Sequence, residues 1–393
     1  MKLAVVAPRY GREIAGGAEH AARTLAARLA ADTPWTVEAL TTCALDTTTW
    51  ADHYPAGTEV IDGVTVRRFP VVGRRSADFD AATDLVVRRG KRATTSEIDE
   101  WVIKQGPIAP ELIDAIASSD ADVVAFHPYL YHPTVAGVPR VASRAVLHPA
   151  AHDDPTIKLR CFKTVFGDAH GLAYWSAPEQ HVVEHNFAVA SKPAVVVGLG
   201  IDTGAGDPAA ARHALGLDDR PYLLCLGRVD DGKGSRLLAE CFARYQARTN
   251  SPLRLVFAGP VAQPVPASDD VVVAGRVEDD VKWGLLRDAF ALVSPSAFES
   301  FSIVLMEAWA VGTPALVNAR CDVTRDHVER ARGGIAFGHY PEFEVALDTL
   351  LASPGLRRAL GAAGQAYVEH HYRWPDVVQR YERFLTRIAT SAA

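Results

Sequence analysis

The strongest constraint on this chain is the alternation of short β-branched runs with helical patterns, and the alternation comes in two series. In the first, a buried strand at Leu3 to Ala7 leads through a glycine-rich turn into a helix from about Ala18 to Ala30. Val37 to Thr41, Val64 to Phe69, Val123 to Phe126, Ala145 to Leu147 and Ala194 to Val197 read as further strands. The second series runs Tyr222 to Leu226, Arg254 to Ala258, Val271 to Ala274, Ala291 to Ser294 and Ala315 to Val317. Strands that take turns with helices imply parallel sheets, because a parallel crossover needs a helix's length of chain. Two series imply two open, doubly wound α/β domains of Rossmann type, and 393 residues are ample for two cores. The junction is expected in Gly198 to Gly206, rich in glycine and followed by Asp207-Pro208. The last helix, about Asp376 to Ala389, has no strand to serve in the second series. The expected domains are therefore 1–199 with 373–393, and 200–372.

Charge and cysteine usage narrow the function classes. Lys and Arg number 41 against 47 Asp and Glu, a net charge of −6. Nucleic-acid binding needs a dominant basic footprint and is not expected. None of the five cysteines forms a C-x-x-C pair, so no zinc site is indicated and a reducing compartment is. The first apolar run is too short for a secretory signal and is closed by Arg9, and no stretch is long enough to span a bilayer. A cytoplasmic protein is expected. Phe79, Ala82 and Val86 stand at helical spacing beside Arg88, Arg89, Lys91 and Arg92. That pattern reads first as a solvated helix packed on one side, and second as a basic helix touching the inner membrane face peripherally.

Four motifs follow strands. Gly16-Gly17 opens the first helix, where free N–H groups can receive an anion or the glycines can simply serve the turn. Gly227-Arg228-Val229-Asp230-Asp231-Gly232-Lys233-Gly234-Ser235 misses the phosphate loop G-x-x-x-x-G-K-S/T by one residue. Gly234 stands where the magnesium-ligating hydroxyl belongs, and no nearby strand ends in an aspartate suited to the metal. A nucleotide hydrolase is disfavoured; what remains is Arg228 and Lys233 flanking a turn, able to clamp a diphosphate without a metal. Gly198-Leu199-Gly200 begins like a dinucleotide fingerprint but has Thr203 in place of the third glycine, and is discounted. The fourth motif carries most weight. Glu299 lies in the turn after a strand, a helix starts near Ser302, Glu307 follows within it, and Gly312 and Pro314 end it. Eight helical residues span about 12 Å and leave roughly 80° beyond whole turns, so both carboxylates lie on one side. An elongated hydroxylated ligand could use both as acceptors, with the helix N-terminus between them for a phosphate.

The run Glu299 to Glu307 resembles the E-x7-E motif of retaining GT-B glycosyltransferases, especially glycosyltransferase family 4. The resemblance covers nearly the whole chain, with its parts in order: Gly16-Gly17, His127 after its strand, Gly200-Ile201-Asp202, Gly227-Arg228, Lys233-Gly234, Gly259, Gly275-Arg276-Val277, the E-x7-E run, Gly312-Thr313-Pro314 and a C-terminal aromatic helix. It implies the GT-B fold, two Rossmann-like domains facing across a cleft, the first serving the acceptor and the second the nucleotide-sugar donor. It implies that Arg228 and Lys233 bind the donor diphosphate and that Glu307 accepts from the ribose. Glu299 would contact the transferred sugar, with backbone N–H groups of Phe301, Ser302 and Ile303. Arg276-Val277 would hold the base, Gly17 beside Gly16 would admit the diphosphate, and His127 would reach the donor sugar. The family usually has glycine where Ser302 stands, which leaves the sugar open. His148, His152, Asp153 and Asp154 form a polar cluster after a strand, of which His152 and Asp153 read as acceptor-side.

The expected reaction is a retaining hexosyl transfer from a nucleoside-diphosphate-sugar to a hydroxylated acceptor, be it a glycan, a lipid-linked sugar or a small molecule. No metal and no bound cofactor are expected. The D-x-D matches that a metal-dependent transferase would need, Asp78-Phe79-Asp80 and Asp120-Ala121-Asp122, lie in the basic helix and before a strand, not after one. Two alternatives share the build: a nucleotide-sugar 2-epimerase or phosphorylase, and a nucleotide-sugar-binding protein without catalysis.

Overall fold

Runs of valine, leucine and alanine too short for helices, and apolar on both faces, form the centre of each sheet. A computed structural model describes residues 1–14 and 16–392. The chain divides into two units, residues 1–199 with the segment that begins at Trp374, and residues 200–373. Arg373 thus groups with the second unit, one residue away from the expected boundary.

The first unit holds β1 (Lys2–Val6), β2 (Thr36–Thr42), β3 (Gly57–Ile61), β4 (Val64–Phe69), β5 (Val123–Phe126), β6 (Ala145–Leu147), β7 (Gly171–Tyr174) and β8 (Ala194–Val196). They form an 8-stranded sheet in the order β3-β4-β2-β1-β5-β6-β7-β8. β5 and β6 are buried throughout, as strands covered on both faces must be. One edge departs from the all-parallel expectation: β3 pairs antiparallel with β4. Asp62 (φ 51°) and Gly63 (φ 81°) make the two-residue turn of that hairpin, a geometry that asks for positive φ at both positions.

The helix Trp374–Ala392 belongs to this first unit. Val377, Tyr381, Phe384, Leu385 and Ile388 recur at helical spacing and are all buried. Gly171 makes room for it, since a Cβ there would come within 2.7 Å of Ile388. The helix Phe79–Arg89 uses its apolar stripe for packing: Val86 is buried, and Phe79 and Ala82 lie against the core. Arg88, Arg89, Lys91 and Arg92 face solvent.

The second unit holds β9 (Tyr222–Leu226), β10 (Arg254–Ala258), β11 (Val271–Gly275), β12 (Ala291–Ser294), β13 (Ala315–Asn318) and β14 (Gly334–Phe337). Their order is β11-β10-β9-β12-β13-β14, and every pairing is parallel. This is the Rossmann order, and the core of the first sheet repeats it. In such sheets the chain reverses direction of winding between the first strand and the fourth, and a crevice opens at their carboxyl ends. Those addresses are β1/β5 in the first unit and β9/β12 in the second. Among the described residues, no helix is long and apolar enough to cross a membrane.

Candidate functional site

At the carboxyl end of β9 the chain makes a tight turn before the helix Ser235–Thr249. Asp230 organises it. Its carboxylate accepts the Lys233 backbone N–H at 2.7 Å and pairs with the Arg228 guanidinium, while its own N–H donates to the Ser235 hydroxyl at 3.3 Å. Ser235 is buried and its hydroxyl is taken up by this turn, so it does not serve as the missing phosphate-loop ligand. Gly234, at φ 77°, lies against the next loop: a Cβ would sit 2.9 Å from the Pro295 carbonyl oxygen. The phosphate-type turn and the loop carrying Glu299 are therefore in backbone contact.

That contact brings two of the expected residues together. Lys233 Nζ donates to Glu299 Oε1 at 2.7 Å. The Glu299 loop is braced at both ends. The Asn318 side-chain amide donates to the Pro295 carbonyl at 2.8 Å, and the Ser296 hydroxyl to the Phe298 carbonyl at 2.9 Å. At its far end the Phe301 ring is buried edge-on to His327 and Tyr372, with centroids 5.6 and 5.1 Å away. His327 in turn meets the Tyr367 hydroxyl through Nδ1 at 3.1 Å, and burial pushes its imidazole down to about 3. Phe301 thus anchors the loop by its ring.

The helix spans Ile303–Ala310, and its N-cap is Ser302. Ser302 has φ 66°, is only 4% exposed, and its hydroxyl is buried without a hydrogen-bond partner among the described residues. A left-handed conformation costs a residue with a Cβ about 1 kcal/mol or more, which gives the glycine usual at this position a physical reason. Among the described residues no side chain caps the helix; the Leu305 N–H turns back to the Ser302 carbonyl at 3.1 Å, and the N–H groups before it lie at the open end of the helix. Ile303 is half-buried.

Glu307 meets a residue that the sequence reading missed. Lys282 Nζ donates to Glu307 Oε1 at 3.0 Å. Lys282 comes from the helix Asp279–Asp288, directly after the Arg276-Val277 turn, and nothing in its own surroundings along the chain marks it. Burial raises the Glu307 pKa, and Lys282 beside it pulls the other way. Arg276 is exposed and Val277 half-buried, just past Gly275, whose carbonyl accepts the Gly259 N–H at 2.7 Å. Asp230 was also missed as an organiser; a carboxylate inside a glycine-rich turn is the signal that could have found it.

In the first unit the corresponding addresses look different. His127 follows β5 and its backbone N–H donates to the Val6 carbonyl at 2.8 Å. Its ring is 3% exposed and stacks on His148, with centroids 4.1 Å apart and planes at 14°. Burial pushes His127 down to about 3, so it is neutral, and it pushes His148 well below the ordinary range too. His148 Nε2 lies 2.7 Å from the hydroxyl of Tyr381 on the C-terminal helix. Fully buried Glu179 accepts the N–H groups of Ala151 and Trp175 at 2.8 and 2.5 Å, tying the exits of β6 and β7 together. Burial pushes its carboxyl up to about 8 against the pull of those N–H groups.

The polar cluster after β6 is dispersed. His148 is in the buried stack, Asp154 accepts the Thr156 N–H at 2.7 Å, His152 pairs with Asp154 at 3.5 Å, and Asp153 reaches solvent-facing Lys158 at 3.2 Å. Gly16 caps the helix Gly17–Asp32, and a Cβ on it would come within 2.1 Å of a Glu19 carboxylate oxygen. Glu19 is buried and paired with Arg9. Among the described residues, nothing lies within 4 Å of where a Cβ on Gly17 would stand.

Comparison with known proteins adds a partial family match and a fold. Residues 209–367, inside the second unit, match the family model of glycosyl transferases group 1. A D-inositol 3-phosphate glycosyltransferase from Frankia alni is 32% identical over 195 residues, covering 44% of this chain and 48% of that protein. The chain spans about half the length of the curated relatives it matches. Sucrose-phosphate synthase from Thermosynechococcus elongatus superposes with a TM-score of 0.72 at 18% identity, covering 100% of both chains. An Anabaena protein solved in complex with UDP-glucose gives 0.70 at 15% identity, covering 98% of this chain and 100% of its own. The fold is GT-B.

Proposed function

We propose that this chain is a retaining glycosyltransferase that moves a hexose-type sugar from a nucleoside-diphosphate-sugar to a hydroxylated acceptor without a metal ion. One observation carries the reading: two lysine–carboxylate bridges, Lys233 to Glu299 at 2.7 Å and Lys282 to Glu307 at 3.0 Å, flank a helix N-terminus that no side chain caps. The match of residues 209–367 to glycosyl transferases group 1 supports it, as does the E-x7-E spacing. In this reading the second unit holds the donor and the first serves the acceptor.

The bridges suit exchange with a ligand. A diphosphate carries more charge than one carboxylate and competes for Lys233, releasing Glu299 to accept from hydroxyls of the sugar. Arg228, whose side chain is 60% exposed, can turn from Asp230 to the same phosphates. With the first-turn N–H groups of Ser302 and Ile303, these cations stabilise the charge that develops as the bond from the anomeric carbon to the phosphate oxygen breaks. The acceptor oxygen forms its bond to that carbon on the same face, and its proton passes to the departing phosphate. Glu299 forms no covalent bond.

The test is incubation with UDP-, GDP-, ADP- and dTDP-linked glucose and mannose in excess EDTA, followed by thermal shift and by NMR of the anomeric proton. One donor is expected to raise the melting temperature and to yield product, or slow hydrolysate, of retained configuration. Loss of turnover in chelator would contradict metal independence. Release of the 2-epimer of the donor sugar would point to an epimerase, and tight binding without turnover across acceptors to a binding protein.

A further inference from the structure

We infer that Lys282 is a specificity residue for the carrier: with Glu307 it reads the two neighbouring hydroxyls of a ribose, so that the site selects ribonucleotide donors over 2′-deoxyribonucleotide ones. This rests on the donor reading above and adds a residue and a discrimination to it.

The geometry is that of a two-sided reader. Lys282 Nζ takes Glu307 Oε1 at 3.0 Å, and Asp279 Oδ1 lies 3.3 Å from the same nitrogen. Among the described residues the second Glu307 oxygen carries no hydrogen bond, while its side chain is only 13% exposed. An ammonium has three protons, so Lys282 keeps donor capacity beside a carboxylate that keeps an acceptor. Neighbouring hydroxyls need this combination, since each both donates and accepts. Lys282 is held in place from three sides: by both acids, and by the Trp283 ring, whose centroid lies 4.8 Å from Nζ. Burial opposes the lysine charge, and Glu307 together with Asp279 more than offsets it, so the ammonium persists well above neutral pH. A site built around a hydroxyl penalises the analogue that lacks it, because its own buried groups are left unpaired.

The competing explanation is that Lys282 only keeps Glu307 ionised. The two roles differ in selectivity. Binding of UDP, GDP and ADP, and of their 2′-deoxy counterparts, is measured by titration calorimetry at pH 8 for the unaltered chain, Lys282→Met and Lys282→Arg. Methionine suits a helix and fills the same volume, so the fold is retained.

The unaltered chain is expected to favour the ribonucleotide of its preferred base by about tenfold or more. Lys282→Met should bring that ratio to within about threefold of unity by weakening the ribonucleotide alone, and Lys282→Arg should restore part of it. A ratio unchanged in Lys282→Met, or equal weakening of both nucleotides, would overturn the inference and leave the donor reading standing. Failure of the unaltered chain to bind any nucleoside diphosphate would overturn both.

Discussion

The two units place their candidate residues at the same topological address and equip them in opposite ways. At β9/β12 the groups are charged and paired, each largely buried carboxylate meeting a more exposed cation: Lys233 with Glu299, Lys282 with Glu307, Arg228 with Asp230. At β1/β5 and the neighbouring exits of β6 and β7 they are desolvated: two stacked imidazoles, the Tyr381 hydroxyl, and a carboxyl that burial keeps protonated near neutral pH. The difference teaches what each can do. Ion pairs whose cation is partly exposed contribute modestly to stability and can exchange for a charged ligand. Desolvated neutral groups hold geometry and add no charge. Activity at the first address and stability at the second should therefore respond separately to mutation.

The largest effect is expected from Lys233→Ala. Turnover of the donor should fall by about 10²–10³-fold, as for loss of a group that meets developing charge. Its melting temperature should stay near that of the unaltered chain, because Lys233 is itself half-exposed. His127→Ala should behave otherwise, costing roughly 1–3 kcal/mol in a denaturant titration, since it empties space beside His148. Equal stability losses in the two variants would break the contrast.

The next effect is a pH dependence. Glu179 holds its proton to about 8 in the folded chain against an ordinary 4.5. Between those values the folded state binds more protons than the unfolded one, so this group's contribution to stability falls as pH rises. His127 works at lower pH, with a folded value of about 3 against 6.5. Its contribution is present above 6.5 and is lost as pH falls toward 3. Glu179→Gln should flatten the decline of melting temperature between pH 5 and 8 without altering the acid limb. The smallest effect belongs to Ser302→Gly, which should raise stability by up to about 1 kcal/mol by relieving the left-handed backbone. A change in sugar preference in the same variant would show that the hydroxymethyl shapes the pocket.

Much of the fold could be read from the chain, because strand–helix alternation is a local pattern and β1, β2, β9, β10 and β12 carry it strongly. β7 and β14 escaped: each has four residues and opens on glycine, Gly171 and Gly334, so neither makes a β-branched run. β3 has an exposed, mixed sequence, although Asp62-Gly63 beside it is a hairpin signal that could have been heeded. The site divides along the same line. Glu299, Glu307 and Lys233 stand in spaced motifs within one or two elements. Lys282, Glu179 and His327 act through partners 25, 28 and 40 residues away or through their burial, and neither is visible in a single sequence. His152 and Asp153 were grouped with His148 by proximity along the chain, but the loop turns His148 inward and leaves Asp153 in solvent.

The central claim is that Lys233, beside Glu299, holds a diphosphate without a metal. The most direct measurement is calorimetric titration of the unaltered chain and of Lys233→Ala with UDP, GDP and ADP in excess EDTA. The account predicts that one of the three binds the unaltered chain in chelator, and that the alanine variant binds it at least about tenfold more weakly. Binding that appears only when a divalent cation is restored, or equal affinity in the two proteins, would contradict it.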